Sequence, residues 1–156
     1  MLRECEASVE ISASPEAVWS FVSDVTRVGE WSGECRACIW MGEPASAQPG
    51  ARFKGRNRRG VIRWTRLNEV VRADAPNELV WRTVPGGPYL DSVEWRLSIG
   101  GNATCSKVSE SFRIVKMPDL MRWLIPLALP AHRDRSDDLA ADLGRLKLLV
   151  ETGSAG

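Results

Sequence analysis

Two residue types that often carry chemistry are nearly missing: the chain holds one histidine, His132, and one tyrosine, Tyr89. A metal site built from several histidines is thereby excluded. Serine hydrolysis would have to rely on His132, and the spacing offers no privileged serine beside it. There is no glycine-rich phosphate loop and no nucleophile elbow of the Gly-x-Ser-x-Gly type, so the common nucleotide and esterase signatures are absent. An excess of one charge is lacking too. The 21 Lys and Arg oppose 20 Asp and Glu, for a net charge of +1, which gives no whole-molecule pull toward nucleic acid or an anionic membrane. No apolar run reaches bilayer-spanning length. The opening MLRECEASVEIS alternates charged and apolar residues, without the apolar stretch of a signal peptide. A cytoplasmic location is expected, where the four cysteines fit as reduced, small apolar side chains.

Cysteine is also too sparse for a structural metal. Cys35-x-x-Cys38 would need a second pair, and the chain supplies only the distant Cys5 and Cys105. On an extended strand, Cys35 and Cys38 should point to opposite faces. No metal and no cofactor are expected. What the chain does have is tryptophan, seven residues of it, each bringing a large apolar area and one N–H donor suited to a core or an aromatic-lined pocket. Apolar residues make up 44% and charged residues 26%, ordinary globular values. A chain of 156 residues fits one domain, assigned here to 1–151, with 152–156 as a disordered tail. Such a domain buries roughly two thirds of its unfolded surface and needs no disulfide to fold.

Periodicity orders the elements. Cys5, Ala7, Val9 and Ile11 alternate with Glu4, Glu6, Ser8 and Glu10, which predicts a half-buried strand. Ser14-Pro15-Glu16 reads as helix cap, first-turn proline and first-turn acid. Thr26 to Gly33 reads as a second short helix or turn. Strands are then expected at 35–41, 51–58, 61–71, 77–84, about 91–99 and 104–114, with Arg59-Gly60 and Gly100-Gly101-Asn102 as hairpin turns. A short helix near 118–125 and a long one near 131–151 follow, separated by a break at Pro126 and Pro130. On the long helix Leu139, Leu143, Leu146 and Val150 share one face. The result is an α+β layout: a curved antiparallel sheet of about seven strands around a long C-terminal helix, with two short helices after the first strand.

The block Ser14-Pro15-Glu16-Ala17-Val18-Trp19-Ser20-Phe21-Val22-Ser23-Asp24, with Trp31 after it, is similar to the opening "S-P-E-x-V-W-x-x-(V/I)-x-D…W" of the START-like, helix-grip (SRPBCC) superfamily. Within it the chain resembles the polyketide cyclase/dehydrase and lipid-transport family over about residues 3–151. GRNRRGVIRWTR (55–66) and LPAHRDRSDDL (129–139) resemble one subgroup. The resemblance implies a cavity for an apolar ligand under the last helix. It implies no shared catalytic motif, since members include cyclases, lipid or quinone carriers and partner-binding proteins.

Alternation sorts the polar side chains that could reach such a cavity. Val108, Phe112 and Ile114 share a face with Glu110; Phe53 and Gly55 bring Asn57 inward; Val93, Trp95, Leu97 and Ile99 leave Glu94 and Arg96 outside. At 61–71 one register brings Arg66 and Asn68 in, and the other brings Glu69. Trp64, Trp81 and Trp95 lie on successive strands, as a cavity wall or as plain sheet packing. Seven residues back from Leu139, His132 lies about 20° off the apolar stripe and Arg135 about 40° off it, while Arg133 and Asp134 point away. Met121 and Ile125 stand above His132 provided the proline break preserves direction.

His132 is open to three readings: a helix-start side chain bonded to backbone or Asp134, a ligand contact, or a proton-transfer group working with Glu110. Glu110 can instead be a buried salt bridge to an arginine such as Arg66 or Arg82, and Asn57 a residue capping its own turn. The expected ligand-binding set is Asn57, Trp64, Arg66, Trp81, Trp95, Phe112, Met121, Ile125, His132 and Leu139, with His132 and Glu110 as the catalytic pair of an enzyme reading. The partner expected is a hydrophobic small molecule. The basic hairpin, with Arg52, Lys54, Arg56, Arg58, Arg59, Arg63 and Arg66, supports a third reading as a partner-binding module; its alternation reads as a solvated face more than a nucleic-acid surface. LMRWLIPLALPA (120–131) reads as a hinge packed over the sheet, or as a gate that touches membrane when loading a lipid.

Overall fold

A computed structural model describes residues 4–120 and 135–153. Seven strands form one antiparallel sheet: β1 (Glu4–Ile11), β2 (Cys35–Trp40), β3 (Arg52–Arg59), β4 (Ile62–Asp74), β5 (Glu78–Thr83), β6 (Ser92–Gly101) and β7 (Ser106–Lys116). Their spatial order is β1-β7-β6-β5-β4-β3-β2, so the first two strands of the chain are the two edges. The chain crosses between those edges through α1 (Pro15–Val22), a 3₁₀ turn (Val25–Arg27) and α2 (Val28–Trp31). Ser14 Oγ caps α1 by accepting from the Ala17 N–H at 3.2 Å, and Pro15 holds the first turn where no N–H is needed. The long helix α3 (Ser136–Gly153) closes the molecule. It continues two residues into the stretch expected as tail.

Every strand of the alternation reading is present. In β4 the register that turns Asn68 and Val70 into the core is the one adopted, and both are buried. Glu69 faces out and pairs with Arg52 at 2.9 Å. The helix expected near 118–125 and the break before α3 lie, apart from 118–120, outside the described residues.

α3 lays Leu139, Leu143, Leu146 and Val150 into the core, all at most 1% exposed. Polar clasps hold it along its length. Arg135 ion-pairs with Glu34 at 2.9 Å. Asp142 Oδ1 accepts from the Gly33 N–H at 2.8 Å and also takes the Arg145 guanidinium. Arg145 Nε donates to the Trp31 carbonyl at 2.9 Å. Near the other end, the Ser12 N–H donates to Glu151 at 2.9 Å and Lys147 donates to the Glu10 carbonyl at 2.7 Å. The corner between α2 and β2 thus holds the first half of α3, and the end of β1 with Ser12 holds the second.

Candidate ligand site on the concave face

The antiparallel register lines up two inward rows. One runs Cys5, Phe112, Trp95, Trp81 and Val70 across β1, β7, β6, β5 and β4. The next runs Ala7, Glu110, Leu97 and Leu79. Trp95 and Phe112 meet edge to face at 4.9 Å between ring centroids, and Phe53 meets Trp81 at 5.8 Å. Leu139 of α3 packs into the cluster of Cys5, Val93 and Phe112. Three of the expected aromatic residues and the expected helix residue are thus brought together.

Glu110 is the one carboxyl in these rows. It is 3% exposed, and its Oε2 has no hydrogen-bond partner among the described residues. Burial drives its pKa up to about 8, and the Asp142 charge adds to the shift. At neutral pH the group is mainly the uncharged acid, able to donate one hydrogen bond and accept another. The expected salt bridge to Arg66 or Arg82 is not there. Arg66 is held by Asp91 at 3.1 Å, with its guanidinium over the Tyr89 ring. Arg82 serves Glu94 on the opposite face at 2.8 Å. The sheet itself separates Arg82 from Glu110.

Other expected residues lie apart. Asn57 and Trp64 are cross-strand partners near the β3–β4 turn, both half-buried. Arg66 is bound up in its ion pair, a positioning role for the Asp91 segment. Met121, Ile125 and His132 lie outside the described residues, as does all of 120–131 except Leu120.

Two side chains join the site that sequence reasoning did not select. Arg135, at the head of α3, places its guanidinium 5.0 Å from the Phe112 ring and 5.8 Å from Trp95 while paired to Glu34. Its offset from the apolar stripe was the available signal. Asp142 precedes the buried Leu143 and lies about 60° from Leu139 on the helix wheel. Burial raises its pKa against the bonds from Gly33 and Arg145.

One expectation on this face is reversed. Cys35 and Cys38 do not point to opposite sides: a bulge in β2 between Cys35 and Ala37 adds a residue, and both thiols turn inward with Sγ atoms 3.2 Å apart. Among the described residues, no group of three or more His, Cys, Asp or Glu side chains could hold a metal ion.

The convex face offers different chemistry. Glu94 lies there as alternation predicts, but it is 3% exposed, covered by Arg82, Arg96 and Arg113 at 2.8–3.2 Å. Burial pushes its pKa up; the hydrogen bonds from Arg82 and Arg96 and the Arg113 charge outweigh that and hold it low. A recess of about 300 Å³ beside it is lined by Glu, Arg and Ser side chains, a surface unsuited to an apolar ligand.

No curated protein sequence matches the chain. Solved structures do. A Thermus thermophilus protein, TTHA0849, superposes with a TM-score of 0.72 at 16% identity, covering 97% of this chain and 99% of that one. DynU16, a protein in the dynemicin biosynthetic locus, gives 0.62 at 16% identity over 98% of this chain and 49% of its own. The major latex-like protein 151 of Panax ginseng gives 0.62 at 11% identity, covering 94% and 95%. At these identities the likeness is one of fold, the curved sheet gripping a C-terminal helix. The family model for polyketide cyclase/dehydrase and lipid transport matches residues 3–151, nearly the whole described fold, and the chain belongs to that family.

Proposed function

We propose that the protein binds a hydrophobic small molecule, of lipid, quinone or aromatic polyketide type, between the concave face of the sheet and α3. The observation that carries this reading is Glu110. A fully buried acid with an oxygen unpartnered among the described residues is costly in an apolar core. A ligand carbonyl or hydroxyl hydrogen-bonded to it removes that cost, while Trp81 and Phe112, with the partly buried Trp95 packed against them, supply the apolar surround. Arg135, over the Phe112 and Trp95 rings, adds a cation at one edge.

A second reading is favoured by the same residue. An acid with a pKa of about 8 is poised near neutral pH to give and take a proton. In a cyclase or dehydratase it would act with His132, and the position of DynU16 in a biosynthetic locus is in keeping with such a role. The third reading, a partner module acting through the basic hairpin, predicts instead that hairpin arginines matter more than Glu110.

Native mass spectrometry of the protein from its own host, followed by denaturing extraction, tests the first reading. A defined apolar adduct released on denaturation is expected, with His132→Ala leaving it in place and Glu110→Leu weakening it. A clean apo mass at full occupancy of the folded state would overturn a tight carrier. An enzyme would keep binding with His132→Ala and lose about 10²–10⁴-fold in turnover of the bound compound.

A further inference from the structure

We propose that Cys35 and Cys38 form a reversible disulfide, closed by a small hydroperoxide. Geometry carries the inference. Residues three apart on a regular strand face opposite ways. Here the bulge between Cys35 and Ala37 turns both side chains to one side, with the sulfurs 3.2 Å apart and hydrogen-bonded. A disulfide bond is about 2.05 Å long, so the sulfurs need approach by only about 1.1 Å. β2 is an edge strand, paired on one side to β3, so that movement strains one ladder. Cys5 and Cys105 sit at the far side of the sheet, on β1 and just before β7.

The two thiols are also chemically distinct. The Cys35 Sγ donates toward the Ala37 carbonyl at 3.7 Å, which leaves the Cys38 S–H to donate to Cys35. That hydrogen bond lowers the Cys35 pKa, and the same bond, with burial, pushes Cys38 up. Cys35 is therefore the attacking sulfur and Cys38 the resolving one. Both are at most 8% exposed, which selects a small oxidant over a protein one.

The chemistry balances in two steps. The Cys35 thiolate attacks one peroxide oxygen, the O–O bond breaks, and the displaced alkoxide leaves as the alcohol after taking a proton. Cys35 is then a sulfenic acid. The Cys38 sulfur attacks it, the S–S bond forms, the S–O bond breaks, and the hydroxide departs as water with the Cys38 proton. Two thiols and one hydroperoxide become one disulfide, one alcohol and one water. A dithiol reductant returns the pair to thiols by exchange.

The test uses the full chain, treated with hydrogen peroxide, quenched with N-ethylmaleimide under denaturing conditions and weighed intact. Expected is the loss of two alkylatable thiols out of four, a peptide cross-linked between Cys35 and Cys38, and full recovery with dithiothreitol. The same loss is expected in a C5S/C105S variant, and C38S should instead accumulate a trappable sulfenic acid at Cys35. Four alkylated cysteines after oxidation, or a cross-link that uses Cys5 or Cys105, would overturn the proposal. Because the main readout is on the unmutated protein, a poorly folding variant does not decide it.

Discussion

Glu110 and Glu94 show how one residue type takes opposite characters on the two faces of a sheet. Glu110 lies among apolar rows with the like charge of Asp142 nearby, and its pKa rises from 4.5 to about 8. Glu94 meets three guanidinium groups and its pKa falls. For Glu110 the folded state holds the proton more tightly than the unfolded one. Its contribution to stability is complete below 4.5 and is lost as pH rises toward about 8, with a slope of at most about 1.4 kcal/mol per pH unit. Asp142, also raised, acts in the same direction. Glu94 acts the other way, contributing above its unfolded pKa and losing that contribution in acid. Glu110→Gln should therefore flatten the alkaline side of the stability curve and leave the acid side unchanged. Urea unfolding midpoints across the range 4.5 to about 8 check this; an unchanged alkaline slope in the variant would show that Glu110 is not the titrating group.

At the scale of elements, close approach decides the geometry. Gly29 in α2 stands where a Cβ would come within 2.5 Å of the Arg36 carbonyl of β2. Gly29→Ala should thus push α2 off β2 and cost about 1–3 kcal/mol, the usual range for overpacking. The same corner carries Gly33 and Glu34, which hold Asp142 of α3 and Arg135 just before it. Chemical unfolding measures the cost, and tryptophan emission reports the local change at the buried Trp31. A variant as stable as the parent would mean that the α2–β2 contact is loose. Elements also mark the limit of alternation as a guide. β1, and β6 and β7 along the unbroken register from Val93↔Ile114 to Gly101↔Ser106, keep period two, so their inward sets were legible, Glu110 included. β2 carries a bulge that nothing in Cys35-Arg36-Ala37-Cys38 announces, and it reverses the face of one thiol.

For the whole molecule, α3 is the piece that converts a curved sheet into a domain. Leu143 is fully buried at its centre. Leu143→Ala should cost about 2–5 kcal/mol, through lost burial and the cavity left behind. An equilibrium urea titration tests it, and a shift in midpoint without a change in slope marks it as a loss of stability alone. A cost under about 1 kcal/mol would mean that the helix is docked far less firmly than its burial indicates. No helix among the described residues is long and apolar enough to cross a membrane.

The amino-acid sequence by itself determined the order of the described elements, the inward set on regular strands and the buried stripe of α3, and the resemblance of its Ser14–Asp24 block pointed to the family. The first three follow from local periodicity, caps and turns, each of which needs only neighbouring residues. The partners of charged groups were decided by the tertiary structure alone. Glu94 draws on Arg82, Arg96 and Arg113 from three strands, Arg66 finds Asp91, and Arg135 reaches back across the chain to Glu34. Alternation says which face a carboxyl takes. Whether an arginine awaits it there depends on strand order and register, which bring distant residues together, and that is what leaves Glu110 without an arginine among the described residues of the core.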